Sequence, residues 1–264
     1  MSIIKIIMSI IVIAALFIAC SDNSTEPETK TDPTEGLVKI GAANAAGTKV
    51  DVFCDRSPQV GYIKIYIMLS DSAANNLIEN ADVSIKPMMD MGHMKHSAPF
   101  ENPGSETVDG LFVGAVNFIM AGTWQLFVSF ELGDSATNGE IEITFDVAAN
   151  NLIKSVVGAD SMKYFVTLLQ PLEPKVGMND FIITVHYRES MMSFPAITDA
   201  LVEIEPSMPS MGHGSPNNVN PMHETRGHYI GKVNFTMTGD WLIDVSVSRN
   251  NAPLLKTAFD INVP

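Results

Sequence analysis

Thioether sulfur and imidazole nitrogen are the side-chain ligands that suit the soft ion Cu(I), and this chain gathers both types twice. The first group reads Met88-Met89-Asp90-Met91-Gly92-His93, and the second, about 120 residues on, reads Met208-Pro209-Ser210-Met211-Gly212-His213. Both carry M-x-x-M-G-H. Met94 and His96 follow the first group, and Met222, His223 and His228 follow the second. Five of the six histidines and seven of the 16 methionines therefore fall in two short regions.

In M-G-H the two flanking ligands can converge, because glycine tolerates φ values that other residues resist. The methionine three residues earlier can return through a turn as a third donor. Two or three soft ligands suffice for Cu(I), whereas zinc or calcium would call for more Cys, His or carboxylate. The candidate ligands are thus Met88, Met91, His93, Met94 and His96, then Met208, Met211, His213, Met222, His223 and His228. A shared motif with different accessory ligands gives either two sites of unequal affinity or one site shared between the regions. Thioether sulfur does not protonate at moderately acidic pH, so such a site keeps its metal better than an all-histidine one. By strand alternation Met120 and Met237 read as core. His186 is isolated on a strand and reads as structural, and Met191-Met192 has neither a nearby histidine nor a counterpart in the first region.

The elements that must position these groups are strands. Each group follows an alternating run that ends in proline, Val83-Ser84-Ile85-Lys86-Pro87 and Val202-Glu203-Ile204-Glu205-Pro206. Each precedes a G-x-V-x-F-x-M-x-G-x-W segment, Gly114 to Trp124 and Gly231 to Trp241. The repeat extends over Leu37 to Val147 and Leu152 to Pro264, joined by Ala148-Ala149-Asn150-Asn151, which defines domains 37–148 and 149–264. Period-two patterning predicts strands near 37–42, 48–54, 60–69, 81–86, 110–120, 123–132 and 139–147. In the second copy they fall near 152–158, 162–169, 178–187, 199–205, 227–237, 240–248 and 255–263. Seven short strands per copy, without an amphipathic helix, predict an all-β chain of two tandem immunoglobulin-like β-sandwich domains. Alternation turns Phe112, Val116 and Phe118 inward with Trp124, Leu126, Val128 and Phe130, and their counterparts likewise, leaving Asn117 and Asn234 outward.

The order strand, proline, Met/His loop and G-x-V-x-F-x-M-x-G-x-W strand pair resembles the YtkA-like domain, a relative of the FixH proteins of oxidase assembly. The sharpest residues are Met211-Gly212-His213 with Gly231, Phe235, Met237, Gly239 and Trp241, and their first-copy equivalents. The resemblance implies an extracytoplasmic immunoglobulin-like domain associated with copper handling or cytochrome oxidase biogenesis.

Residues 1–19 read as a lipoprotein signal peptide, with Lys5 as its positive end and Ile6 to Ile18 as its apolar stretch. Phe17-Ile18-Ala19-Cys20 resembles a lipobox, with Phe17 in place of the usual leucine. Cys20 is then the lipidated residue and anchors the chain to a membrane. Ser21 after the cysteine resembles outer-membrane sorting, facing the periplasm. Ser21 to Gly36 has no aliphatic or aromatic side chain and reads, with Cys20, as a disordered tether over 20–36, about 50 Å long when extended.

Without residues 1–19 the chain keeps 15 basic and 30 acidic residues, a net charge of −15. That argues against nucleic acid as a partner. Cys54 is then the sole remaining thiol, so no internal disulfide forms, and it reads as a small buried strand residue. No nucleophile elbow, phosphate-cradling loop or H-E-x-x-H is present, so the chain is not expected to be an enzyme. The expected function is Cu(I) binding for handling or for transfer to a protein partner. The alternative is a non-enzymatic module that docks to an envelope complex through exposed methionines, which make adaptable contact surfaces.

Overall fold

The computed structural model describes residues 32–133 and 136–264. The expected signal peptide, Cys20 and most of the expected tether lie outside them. The last tether residues, 33–36, form a turn closed by Leu37 N–H donating to Thr34 O at 3.0 Å.

Every described element is a strand, and the two copies match strand for strand. Domain 1 contains β1 (Val38–Ala45), β2 (Thr48–Cys54), β3 (Gly61–Asp71), β4 (Ala81–Asp90), β5 (Lys95–His96), β6 (Phe100–Glu101), β7 (Phe112–Phe118), β8 (Gly122–Leu132) and β9 (Asn138–Val147). Domain 2 contains β10 (Ile153–Val157), β11 (Lys163–Gln170), β12 (Gly177–Tyr187), β13 (Leu201–Met208), β14 (His213–Gly214), β15 (Val219–His223), β16 (His228–Phe235), β17 (Gly239–Arg249) and β18 (Ala252–Val263). Each domain pairs a five-stranded sheet, β1-β2-β3-β7-β6 or β10-β11-β12-β16-β15, with a four-stranded one, β5-β4-β8-β9 or β14-β13-β17-β18. These are the two tandem sandwiches that the repeat predicts. The short strands β5, β6, β14 and β15 are the additions, inside stretches that read as loops.

Alternation builds the cores as expected. Trp124, Leu126, Val128 and Phe130 from β8 meet Phe112, Val116 and Phe118 from β7. Trp241, Ile243, Val245 and Val247 meet Tyr229, Val233 and Phe235 in the same way. Each tryptophan is fully buried and its Nε1–H donates to the carbonyl of Met120 or Met237, at 3.0 and 3.1 Å. Those two methionines are not core residues. They lie past the ends of β7 and β16, in the turns before Gly122 and Gly239, and are more than one-third exposed.

Asn117 points outward as expected, but not into solvent. It faces out from its own sandwich yet is buried, because domain 2 covers it: its Nδ2 donates to Thr167 Oγ1 at 2.7 Å and Thr184 Oγ1 at 3.3 Å. The outer faces of the two five-stranded sheets meet here. Glu101 on β6 accepts from His228 Nε2 at 2.7 Å, Arg226 at 3.3 Å and the Tyr62 hydroxyl at 3.1 Å. The linker is pinned as well, since Val60 N–H donates to Ala148 O and Ala148 N–H to Pro58 O.

Candidate metal centre

β4 alternates with Ala81, Val83, Ile85, Pro87 and Met89 buried, so Met88 lies on the other face, opposite Gln125 of β8. Beyond Asp90 the chain turns through Met91, Gly92, His93 and Met94 and returns as β5, which pairs His96 with Met89. Gly92 takes the left-handed φ of +83° that the turn requires. Asp90 closes the turn by accepting from Gly92 N–H at 2.8 Å and pairing with Lys95 at 3.0 Å. Those two contacts hold its carboxyl below the usual range, Lys95 first.

The inward products of this hairpin are Met89, 5% exposed, and His96, 3% exposed. The His96 ring stands edge-on to Trp124, with centroids 5.3 Å apart. Its Nδ1 lies 2.8 Å from Ser97 O. A carbonyl only accepts, so Nδ1 carries the proton and Nε2 presents a bare lone pair. That Nε2 is buried and has no hydrogen-bond partner. Burying such a group unpaired costs roughly 1–3 kcal/mol, and the tautomer is the one a metal-binding histidine adopts when a carbonyl orients its other nitrogen.

Domain 2 repeats the arrangement on a shorter hairpin. Met208 of β13 pairs with His213 of β14, and the turn between them is Pro209, Ser210, Met211 and Gly212. Met208 is 3% exposed. The His213 ring lies 5.7 Å edge-on from Trp241, its Nδ1 is 3.0 Å from Gly214 O, and its Nε2 is again buried without a partner. An open hollow beside the pair is lined by Pro206, Met208, Pro209, Gly212, His213 and Asn218. In both domains the methionine methyl occupies the space of a missing side chain. A Cβ on Gly122 would come within 3.2 Å of Met89 Cε, and one on Gly239 within 2.6 Å of Met208 Cε.

The strand register fixes which residues correspond. Pro87 lies opposite Leu126 and Pro206 opposite Ile243, so Met89 matches Met208 and His96 matches His213. The M-x-x-M-G-H motif is shifted by one residue against this register, and a one-residue shift exchanges the two faces of a strand. Met88 therefore lies across the strand from Met89, which the motif did not select. Met91, His93, Met94 and Met211 are exposed at the hairpin tips.

Met222, His223 and His228 do not join the second site. β16 carries His228 at one end and Phe235 at the other, next to the turn that leads to Trp241, so His228 lies a full strand length away. His223 pairs opposite Tyr229 at that same distant end and accepts from Gly227 N–H at 3.3 Å. Met222 is 76% exposed. His228 serves the domain interface instead. Burial alone would raise the Glu101 carboxyl, but His228 above all, with Arg226 and Tyr62, holds it below its ordinary value. His186 is buried at the same interface, and burial pushes it down to about 4.

Among the described residues no three His, Cys, Asp or Glu side chains gather to hold a metal ion. Cys54 does not contribute, since burial pushes its thiol up to about 12.

The tandem sandwich, with a Met/His pair at the same place in each domain, is a repeat that the family comparison also finds. The YtkA-like family matches residues 42–129 and again 158–246, and the chain belongs to that family. No curated protein matches the sequence. Among solved structures the chain is similar to the Escherichia coli adhesin FdeC, with 16% identity, a TM-score of 0.29, and coverage of 84% of this chain and 66% of that one. It is also similar to domains 5–6 of the S-layer protein SbsC, with 12% identity, a TM-score of 0.25 and coverage of 86% and 99%. The fibronectin(III)-like modules of Clostridium thermocellum CbhA give 14% identity, a TM-score of 0.22 and coverage of 80% and 93%.

Proposed function

We propose that this chain is a lipid-anchored envelope protein, facing the periplasm from the outer membrane, that binds Cu(I) for handling or delivery and has no catalytic step. The observation that carries the reading is the buried, partnerless Nε2 of His96 and His213, each across a strand pair from a buried methionine. Imidazole and thioether are a donor set that suits Cu(I). Met89 with His96, and Met208 with His213, would hold the ion. Met91, His93 and Met94 at one tip, and Met211 at the other, would take it up and release it by ligand exchange. Lys5, the apolar stretch and Cys20 support the anchor, and Cys20→Ser is expected to move the protein from the membrane to the soluble fraction.

The test is a Cu(I) competition titration of the full-length protein against a chromophoric chelator. The parent should compete, and Met89→Leu with Met208→Leu should lose most of that competition. Met88→Leu with Met211→Leu should keep most of it. A folded parent that takes no Cu(I) from the chelator would sink the proposal.

The exposure of Met91, Met94, Met211 and Met222 favours a second reading, docking to an envelope protein through methionine surfaces. Leucine at those four positions would preserve such docking, because the apolar contact survives.

A further inference from the structure

The two Met/His pairs differ in what lies against them. After β12 the chain turns through 188–193, where Glu189 and Ser190 N–H donate to Ser193 O at 3.1 and 3.2 Å. The Ser193 hydroxyl adds a bond to the Glu189 carboxylate at 2.7 Å. The turn presents the Met191 carbonyl to domain 1, where Ser97 N–H donates to it at 2.8 Å. Ser97 adjoins His96 in the chain, and its hydroxyl donates to Pro87 O at 2.8 Å, two residues before Met89. The backbone at Met191 is therefore held beside the hairpin that carries the domain 1 pair, with Met192 next to it in the chain.

Among the described residues nothing similar reaches the second hairpin, whose hydrogen bonds go to residues of its own domain. The corresponding connection in domain 1, residues 72–80, contains no methionine. Met191 is half-buried and Met192 is 42% exposed, so neither is locked into a core. Their unbranched side chains can swing sulfur across a short gap at little cost.

We propose that the Met191-Met192 pair supplies a further thioether ligand to the site of Met89 and His96, which makes the first metal site a joint construction of both domains. This rests on the copper reading above. The first site then has more soft donors than the second and binds more tightly. Metal in it also ties the domains together, so ion binding and domain docking reinforce each other, as linkage requires.

The experiment is a Cu(I) competition titration of the full-length protein and its Met191→Leu/Met192→Leu variant, with methyl resonances of 13C-labelled methionine followed in parallel. The parent should show two classes of site. In the variant the tighter class weakens by about tenfold or more, while the weaker class stays unchanged and reports that the fold is intact. In the parent a Met191 or Met192 methyl should shift together with that of Met89 as the tighter class fills. A tighter class that His96→Ala abolishes but the leucine variant leaves untouched, with the Met191 and Met192 methyls unmoved, overturns this inference alone. A parent that takes up no Cu(I) overturns it together with the copper reading.

Discussion

In domain 1 the Met/His hairpin extends one residue pair beyond its counterpart, closing at Asp90 and Lys95, whereas in domain 2 it closes at Met208 and His213. Both turns have four residues, but the glycine is second in one and fourth in the other. The first hairpin is capped by a loop of the other domain and carries a surface ion pair, and the second is open. What is held constant is the interior: methionine inward, histidine across from it, the histidine and tryptophan rings in a T-shaped contact, glycine making room. Duplication has kept the buried contacts and let the tips drift, as expected where packing constrains one side and water the other.

Truncating the shared tryptophans should produce the largest effect and break the equivalence. Trp124→Ala and Trp241→Ala each remove a fully buried ring, at a cost of about 3–5 kcal/mol. Urea unfolding followed domain by domain should show the Trp241 change confined to domain 2, while the Trp124 change also loosens the domain interface. Equal and purely local losses would mean that the two sandwiches fold independently of their contact.

Acid should separate the domains next. His186 is held at about 4 in the folded state against 6.5 for the ordinary side chain. The unfolded chain therefore takes its proton first, so this stability is present above pH 6.5 and is lost as pH falls from 6.5 towards 4. The full loss is roughly 3 kcal/mol. Ser70 occupies the equivalent place in domain 1, opposite Lys49 as His186 lies opposite Phe165, and does not titrate. Unfolding midpoints measured from pH 7 to 4 should fall more steeply for domain 2, and His186→Gln should flatten that slope. Parallel slopes in both domains would assign the acid response elsewhere.

A smaller difference is expected at the glycines. Gly122 and Gly239 adopt φ values of +130° and +124°, and a methyl group at either would also press on a methionine Cε. Alanine at each should cost about 1–2 kcal/mol. Gly239→Ala should cost more, because its contact is tighter, and a thermal melt that ranks them the other way would show that Met208 yields more easily than Met89. Lys95→Ala should leave the melting temperature unchanged, since its bridge to Asp90 is exposed to solvent.

The sequence carried the architecture because burial writes itself as alternation. Val83, Ile85 and Pro87, or Phe112, Val116 and Phe118, name a face without any coordinates. The site was legible only in part. The Met/His clusters drew attention to these two hairpins and to His96, Met208 and His213, but the motif M-x-x-M-G-H is out of step with the strand register by one residue. Counting two residues from Pro87 and from Pro206 would have found Met89 and Met208 together. The rest left no local trace. That Asn117 is covered, that His228 is drawn to Glu101 and that the Met191 carbonyl meets Ser97 all depend on how one sandwich leans on the other. The bare Nε2 depends on a carbonyl one residue away, which composition and spacing do not encode.

The pinned linker and the loop that caps the first hairpin together give the chain a direction. Heterologous contacts of this kind, tail of one unit on head of the previous one, extend into an open array wherever the rotation between units does not close a ring. In any longer array built by the same rule each internal hairpin would be covered by its successor, and a single hairpin at the growing end would stay bare. The number of uncovered hairpins per molecule would then be one, however many repeats were added, so lengthening the chain would not add a second exposed hairpin.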